Sequence, residues 1–296
     1  MKSSPRLSVV VIFHNMRREA ERTLYSLSCR YQQGIGIDDY EVLVIDSGST
    51  EPLDRGLVES LQDNFRYYHV RTDHPSPCRA MNFGIGQSRA PRIACAVDGA
   101  RILTPNILSN MLRLERVFPR PFVYTLAMHL GKELQNTSVE KGYNHQVEDE
   151  LLRSVNWRED GYRLFPIACL AGSAHGGYTG LMMESNFFSV ERSVLLEMGG
   201  FDEKFITPGG GLVNLDVFKR LLGNPRLDPV LLLGEATFHQ FHGGVATNVP
   251  KDRHPWDLFH EEYVRLRGCA YAAELRTPYL FGKIPESAKA FLGGSG

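Results

Sequence analysis

Three apolar runs in this sequence each lead into a side chain that can accept hydrogen bonds or bind a cation. The runs and the polar residues that follow them are 7–13 with Asn15, 41–45 with Asp46, and 92–97 with Asp98. A short apolar run bounded by turn residues is typical of a buried parallel strand. Ligands of open α/β sheets bind beyond the carboxyl ends of such strands. We therefore expect the three polar side chains to meet in one crevice.

Strand and helix patterns alternate in the first half of the chain. The predicted strands are 7–13, 41–45, 67–70, 92–97 and 121–127, and the predicted helices are near 17–30, 53–62, 79–88 and 105–117. Alternating βα units predict a mostly parallel sheet with helices on both faces. The fold class is therefore α/β, with the three polar strand ends at one edge of the central sheet.

The second half has a weaker pattern. Between about 129 and 180 a charged helix near 146–154 is the only clear element, and the glycine-rich stretch 170–180 is typical of a loop. The later predictions are a strand at 183–190, helices near 191–198, 214–222 and 256–267, and a strand at 229–233. We expect one domain with a C-terminal extension, whose Gly293-Gly-Ser-Gly296 tail is predicted to be disordered.

Composition and charge argue against several classes of protein. The 296 residues carry a net charge of −1, which gives no electrostatic footprint for nucleic acid. The five cysteines form no CxxC pair, so neither a disulfide framework nor a zinc knuckle is expected. No apolar run approaches the roughly 20 residues of a membrane helix. We expect a cytoplasmic protein, and attachment to a membrane surface through a partner remains open.

Five segments, in order along the chain, resemble the motifs of family-2 glycosyltransferases, which have the GT-A fold. They are Ser8-Val-Val-Val-Ile-Phe-His-Asn15, Val44-Ile-Asp-Ser-Gly-Ser49, Arg79-Ala-Met-Asn-Phe-Gly84, Val97-Asp-Gly-Ala100 and Gly199-Gly-Phe-Asp-Glu203. The resemblance implies a GT-A-type nucleotide-diphospho-sugar transferase domain over 1–250, with a nucleotide-binding half at 1–128 and an acceptor-side half at 129–250. Residues 251–296 would form a C-terminal helical extension and tail.

The resemblance also implies roles for residues of the first half. Asp46 would accept a hydrogen bond from the nucleobase, and the backbone around Phe13, together with Asn15, would line the base pocket. Asn82 and Asp98 would face the ribose and the diphosphate. From the residues alone, Asp46 could instead bond the backbone of its own turn, and Asn82 could lie on a helix surface.

The second acid of the family's Asp-x-Asp motif, usually a metal ligand, is Ala100 here, so only Asp98 remains of the pair. Mn²⁺ or Mg²⁺ normally compensates the charge of a departing diphosphate. By the resemblance, His239 and His242 lie in a loop where family members often place a metal-binding histidine, and imidazole suits Mn²⁺ better than Mg²⁺. The histidines could instead hydrogen-bond the loop or the diphosphate. Two arginines could neutralise the phosphate without any metal: Arg79 and Arg101.

The acidic pair that supplies the catalytic base in inverting members of the family corresponds to Val213-Asn214 here. An asparagine cannot accept a proton at neutral pH, so the usual base is missing. The candidate substitutes are Asp216, Glu184 and Asp202. Asp216 could instead stabilise a helix N-terminus, Glu184 could be a solvated strand residue, and Asp202 could fix a turn.

The function that the resemblance implies is sugar transfer from a nucleoside-diphosphate sugar, of the uridine or guanosine type, to an acceptor hydroxyl. The acceptor would be a glycan, a glycolipid or a small glycoside, as in polysaccharide biosynthesis, and a single displacement would invert the anomeric carbon. The loss of two expected acids motivates an alternative, a non-catalytic nucleotide-sugar-binding or scaffold protein on the same fold. A nucleotidyltransferase is disfavoured because the first loop lacks its glycine-rich, basic pattern.

Overall fold

The computed structural model of the protein describes residues 4–293. Its strands are, in chain order, β1 Leu7–Phe13, β2 Tyr40–Ser47, β3 Phe65–Val70, β4 Arg92–Ala96, β5 Arg101–Leu103, β6 Pro121–Leu130, β7 Ala168–Leu170, β8 Phe187–Glu191, β9 Asp228–His239 and β10 Tyr279–Gly282. Its α-helices are α1 Arg17–Leu27, α2 Arg55–Leu61, α3 Cys78–Gln87, α4 Ile107–Leu114, α5 Gln135–Ser138, α6 His145–Arg153, α7 Arg192–Glu197, α8 Val213–Leu222 and α9 Trp256–Arg267. Residues 294–296 of the predicted tail lie outside the described part.

These strands form a single sheet, in the spatial order β10-β9-β6-β8-β4-β1-β2-β3, while β5 pairs with β9 and β7 pairs with β6. The pairs β1/β2, β1/β4, β2/β3, β6/β9 and β9/β10 are parallel. Strand β8 runs antiparallel between β4 and β6. The predicted α/β class with a mostly parallel central sheet is therefore confirmed.

Helices cover both faces of this sheet. Alternate residues of β1 belong to opposite sides: Val10 joins one buried apolar cluster with Met81 of α3, whereas Val11 joins the other with Leu24 of α1. Burial on both faces explains why the run 7–13 is apolar at almost every position. The strands are therefore buried along their length, and polar side chains can gather in the loops that follow the strand ends.

Two glycines allow neighbouring segments to approach closely. Gly48, directly after β2, has a φ of +61°, and a Cβ there would lie 2.3 Å from the carbonyl oxygen of Thr72. Gly84 of α3 packs on β1, where a Cβ would lie 2.3 Å from Cγ1 of Val10. Gly48 therefore serves turn geometry, and Gly84 serves the packing of α3 on the sheet.

Strand β9 is longer than its predicted range of 229–233, because it continues to His239. Its register with β6 shifts between Tyr124 and Leu126. Glu235 interrupts the apolar pattern of β9, yet it is 3% exposed and its carboxylate accepts hydrogen bonds from two hydroxyl groups. The strand β9 thus continues through Glu235, a buried polar residue, although the apolar pattern predicts that it ends at residue 233.

Strand β8 is shorter than predicted, since it begins at Phe187 rather than at 183. The hydroxyl oxygen of Ser185 lies 2.9 Å from the backbone carbonyl oxygens of both Thr125 and Phe187, so its one O–H can donate to either, and this bonding replaces regular pairing before the strand. The stretch 129–180 also contains more structure than predicted, because β6 extends to Leu130 and short turns of 3₁₀ helix flank β7.

The segment after residue 250 packs on the rest of the fold. Helix α9 buries Phe259 and Tyr263, while Leu258 is 51% exposed. Strand β10 adds to the sheet edge beside β9 in parallel. All five cysteines are free, and each helix among residues 4–293 is too short or too polar to span a lipid bilayer.

Candidate active site

A cavity of about 710 Å³ lies where the carboxyl ends of β1, β2 and β4 meet loops from the second half of the chain. Its walls include Ile12, Asn15, Ser47, Asp98, Glu184 and His239. Strand ends supply the first-half residues because parallel strands present their carboxyl ends at the same edge. Loops after β9 and before α8 and α9 supply the opposite wall, so the cavity joins both halves of the chain.

Asp98, His239 and His242 meet in this cavity with their ligand atoms within 4.8 Å of one another. Nε2 of His239 lies 3.0 Å from Oδ2 of Asp98, and Nε2 of His242 lies 3.8 Å from Oδ1. The two imidazole Nε2 atoms are 3.2 Å apart. A carboxylate and two imidazole nitrogens converging in this way are a donor set that Mn²⁺ accepts.

The orientation of His239 is fixed by Gln135. The side-chain nitrogen of Gln135 donates to the carbonyl of His239 at 3.1 Å, so its Oε1 faces the ring Nδ1 at 2.6 Å. The proton is therefore assigned to Nδ1, which leaves the lone pair of Nε2 facing the carboxylate of Asp98. Burial lowers the pKa of His239 to about 4, so the ring is neutral near pH 7. Two facing lone pairs repel unless a proton or a cation lies between them, and this donor set fits a divalent metal.

Asp46 ends β2 and Asn15 follows β1, but only Asn15 lines the cavity with Asp98, so the three side chains do not all meet there. The Asp46 carboxyl is fully buried, and its Oδ2 accepts from the backbone N–H of Leu53 at 2.6 Å, while its Oδ1 has no partner among the described residues. Asn15 lines the cavity, and its Oδ1 accepts from the N–H and hydroxyl of Thr50. Asp46 thus bonds its own turn with one oxygen and keeps a free acceptor with the other.

The side chain of Phe13 does not face the cavity. It is fully buried in the apolar cluster that α1 covers, whereas its neighbours Ile12 and His14 line the cavity. The prediction concerned the backbone around Phe13, and that stretch of chain does border the cavity. Phe13 therefore contributes to the site by packing the end of β1.

Asn82 and Arg79 are not brought to the cavity, in contrast to the sequence prediction. The amide of Asn82 exchanges two hydrogen bonds with the backbone of Phe201, at 2.8 and 2.9 Å, and also donates to Glu203. The Arg79 side chain is 58% exposed and faces Glu203 at 3.6 Å. The Gly-Gly-Phe-Asp-Glu segment folds against α3 and uses both side chains, so neither is left to bind a nucleotide.

Of the three candidate bases, Glu184 lines the cavity. Its Oε2 accepts a hydrogen bond of 2.7 Å from Nδ2 of Asn214, the residue at the expected base position. Asp216 is 2% exposed, lies outside the cavity lining and accepts from Arg220 and Arg267 at 2.6 to 2.8 Å. The prediction of Asp216 as a base is therefore corrected, because two guanidinium groups already occupy its carboxylate.

Asp202 is also held away from the site. It accepts from the backbone N–H of Lys204 and from the guanidinium of Arg267, and these contacts lower its pKa although partial burial acts to raise it. It therefore fixes a turn, which is the alternative that the sequence left open.

His129 lines the same cavity and was not singled out from the sequence. It is 5% exposed, its Nδ1 accepts from the backbone N–H of Gln135 at 3.3 Å, and its ring centroid lies 5.3 Å from that of His239. Burial, with the neighbouring His239, holds its pKa well below the ordinary value. The sequence pattern that predicted Asp46 and Asp98 also applies to His129, because it is a polar residue near the carboxyl end of an apolar strand.

The family model of glycosyl transferase family 2 matches residues 8–113. Among solved structures, residues 1–349 of TarS from S. aureus in complex with UDP are 13% identical, with a TM-score of 0.53, and the match covers 92% of this chain and 67% of that one. The mannosyltransferase PcManGT from Pyrobaculum calidifontis, in complex with GDP-Man and Mn²⁺, is 16% identical, with a TM-score of 0.50, and the match covers 98% and 68%. The chain spans 37% of a longer TarS structure. No curated protein matches significantly.

The likeness to these structures defines the fold: the chain has the GT-A architecture of nucleotide-sugar glycosyltransferases. The similarity to glycosyl transferase family 2 covers residues 8–113 of the 296 residues.

Proposed function

We propose that this chain transfers a sugar from a nucleoside-diphosphate sugar to an acceptor hydroxyl, with Glu184 as the general base. One observation carries the proposal: Glu184 lines the same cavity as Asp98 and His239, and Asn214 holds its carboxylate at 2.7 Å. A carboxylate oriented by a neutral amide keeps its ability to accept a proton. Glu184 would thus replace the acid that is absent at position 214.

The nucleoside would bind at the ends of β1 and β2. Asp46 lies behind Ser47, which lines the cavity, and its Oδ1 has no partner among residues 4–293, so a nucleobase N–H that reaches past Ser47 would satisfy it. Asn15 lines the neighbouring wall. The complexes of TarS with UDP and with UDP-GlcNAc, and of PcManGT with GDP-Man, support a uridine or guanosine diphosphate sugar as the donor.

Asp98, His239 and His242 would hold Mn²⁺ or Mg²⁺ beside the diphosphate. The Mn²⁺ in the PcManGT complex supports a divalent ion, and the two imidazoles favour Mn²⁺. When bound, the ion supplies positive charge to oxygens of the departing diphosphate. Gln135 keeps the ring of His239 turned with its lone pair toward that position.

In the proposed step, Glu184 takes the proton of the acceptor hydroxyl while the acceptor oxygen forms a bond to the anomeric carbon. The bond from that carbon to the diphosphate oxygen breaks, and its electron pair leaves with the diphosphate. Attack from the face opposite the leaving group inverts the anomeric configuration. The acceptor would be a glycan, a glycolipid or a small glycoside, held by 129–250 and by Trp256 of α9, which lines the cavity mouth.

The test is to measure UDP or GDP release from a panel of UDP- and GDP-sugars with carbohydrate acceptors. Glu184→Gln should lower kcat by about 100-fold or more, because the base is lost, and should leave the affinity for the nucleotide unchanged. Glu197→Gln, on the exposed face of α7, is the matched control. Full turnover by Glu184→Gln would falsify the assignment.

A second candidate function is a non-catalytic nucleotide-sugar-binding protein. The presence of Ala100 and Asn214 at two positions where acids are expected favours it. Nucleotide binding by the wild-type chain without turnover, with any donor and acceptor of the panel, would select this candidate.

A further inference from the structure

Arg101, the first residue of β5, carries a guanidinium group that the fold leaves unsatisfied. Its side chain is 5% exposed and lines the cavity. Neither Nε nor Nη1 has a hydrogen-bond partner among residues 4–293. Buried guanidinium groups are normally paired or fully hydrogen-bonded, because a desolvated charge without partners is costly.

Arg92 is a second buried arginine of this chain, and its guanidinium group does have hydrogen-bond partners. It is 2% exposed, yet its Nε donates to Glu115 at 2.9 Å and its Nη1 donates to the carbonyl of Pro121 at 3.1 Å. The acids near Arg101 are Asp98, with 3.5 Å between Nε and Oδ2 and no hydrogen bond, and Glu184, which acts on it electrostatically. Asp98 faces His239 with the same oxygen at 3.0 Å, so it belongs to the candidate metal centre. Arg101 therefore presents two unsatisfied N–H donors and a positive charge that it shares with no dedicated partner of its own.

We infer that Arg101 binds an oxygen of the donor's terminal phosphate, as a fixed second cation beside the metal centre. This inference rests on the proposed function and assigns the β-phosphate to a residue. The same Oδ2 atom of Asp98 lies next to both His239 and Arg101, so a diphosphate that reaches the metal also reaches the guanidinium. A planar guanidinium fork matches phosphate geometry and stays charged at any working pH.

Arg101 thereby compensates for Ala100, which cannot contribute to metal binding. With one acid instead of two at this motif, the centre offers fewer oxygen ligands to hold a metal ion beside the diphosphate. A guanidinium supplies charge directly, without the need for a ligand to hold it. We therefore expect the protein to bind a nucleoside diphosphate more tightly than the monophosphate, by an amount that depends on Arg101 and not on the nucleoside.

The experiment compares the dissociation constants of UDP with UMP, and of GDP with GMP, by isothermal titration calorimetry in the presence of Mn²⁺. Inorganic pyrophosphate is a third probe, because it lacks a nucleoside. The variants are Arg101→Met, which removes the charge, and Arg101→Lys, which keeps it without the fork. Arg226→Met is the matched control, since Arg226 pairs with Glu197 at the surface. Circular dichroism and thermal unfolding verify that each variant is folded.

We expect Arg101→Met to reduce the preference for diphosphate over monophosphate by about ten-fold or more, as for loss of a charged hydrogen bond. Arg101→Lys should give an intermediate preference, and pyrophosphate binding should weaken in parallel. If the preference in both folded variants stays within about two-fold of the wild type, the inference is overturned and the proposed function stands. If the wild type binds no nucleotide and no pyrophosphate, the inference and the proposed function fail together.

Discussion

Gln135 acts on the metal centre through His239 and does not itself contact an ion position. Its two amide atoms bond the carbonyl and Nδ1 of the same histidine, and its Oε1 also accepts from Asn248 at 2.9 Å. Partners that orient metal-binding imidazoles typically contribute 10–100-fold to metal affinity. The ring orientation therefore depends on Gln135, the first residue of α5.

We predict that Gln135→Leu weakens Mn²⁺ binding by roughly 10–100-fold, because the ring of His239 loses its orientation. Mn²⁺ affinity is measured by electron paramagnetic resonance of the free ion. Gln146→Leu, on the exposed face of α6, serves as the control and should bind Mn²⁺ like the wild type. Equal affinity in Gln135→Leu would show that the ring is held by other contacts.

At the scale of elements, Asn82 joins α3 to the turn before α8. Its amide exchanges hydrogen bonds with Phe201 and also donates to Glu203. A Cβ at Gly200 would lie 2.4 Å from Oδ1 of Asn82, so the turn packs directly on the amide. Asn82, to which the family resemblance gave a role in nucleotide binding, therefore links α3 to the turn at Phe201.

We predict that Asn82→Ala lowers the free energy of unfolding by about 1–3 kcal/mol, because Phe201 N–H and C=O lose their partner. Urea unfolding followed by circular dichroism gives the value. Nucleotide affinity should stay unchanged in the folded variant. Gln87→Ala, an exposed position on the same helix, is the control. A loss of nucleotide affinity without a loss of stability would return Asn82 to the binding site.

Glu235 links β9 to the loop before α4. It is 3% exposed, and burial raises the pKa of its carboxyl from 4.5 to about 7. The folded state therefore keeps a proton that the unfolded chain has lost. Above about pH 4.5 the unfolded chain ionises and gains stability relative to the folded state, until the folded carboxyl ionises near pH 7.

We predict that the stability of the wild-type chain falls by at most about 3 kcal/mol as the pH rises from 4.5 to 7 through this group. Glu235→Gln should remove that part of the slope, whereas Glu197→Gln at the surface should keep it. Urea unfolding series across this pH range measure the difference between the two variants. Identical slopes for Glu235→Gln and the wild type would contradict the assignment.

For the whole molecule, donor binding should stabilise the fold because the cavity is built from both halves of the chain. UDP or GDP at 100 times its dissociation constant should add about 2.7 kcal/mol to the free energy of unfolding. Mn²⁺ should enlarge the shift relative to EDTA, since Asp98, His239 and His242 converge there. Thermal unfolding with each nucleotide, with and without the metal, is the measurement. No shift with either nucleotide would count against the proposed function.

Sequence patterns predicted the features that depend on neighbouring residues in the chain, namely the strands and the polar residues at their ends. Continuous apolar runs predicted the strands, and the polar strand ends predicted Asp98, which lines the cavity, and Asp46, which does not. The convergence of His239 and His242 on Asp98 was also expected. The positions of Asn82 and Asp216 were not predictable in this way, because each is decided by a partner far away in sequence. Asn82 is taken by the turn at Phe201, and Asp216 by Arg267 of α9.

The same limit explains the residues that sequence reasoning undervalued. The prediction ended the strand before His129 because only apolar residues counted, although β6 continues to Leu130. The role of Gln135 depends on the carbonyl of His239, more than a hundred residues away. Buried polar partners of this kind leave no periodic trace, so they become visible only in three dimensions.

The tight packing of Gly84 on Val10, and of Gly48 on Thr72, bears on how variant libraries of this protein are interpreted. A saturation screen that records product alone would score both glycines as essential, since any larger side chain would deplete the folded population. Glu184 would receive the same score for a chemical reason. Recording cellular abundance alongside product would separate the two kinds of position.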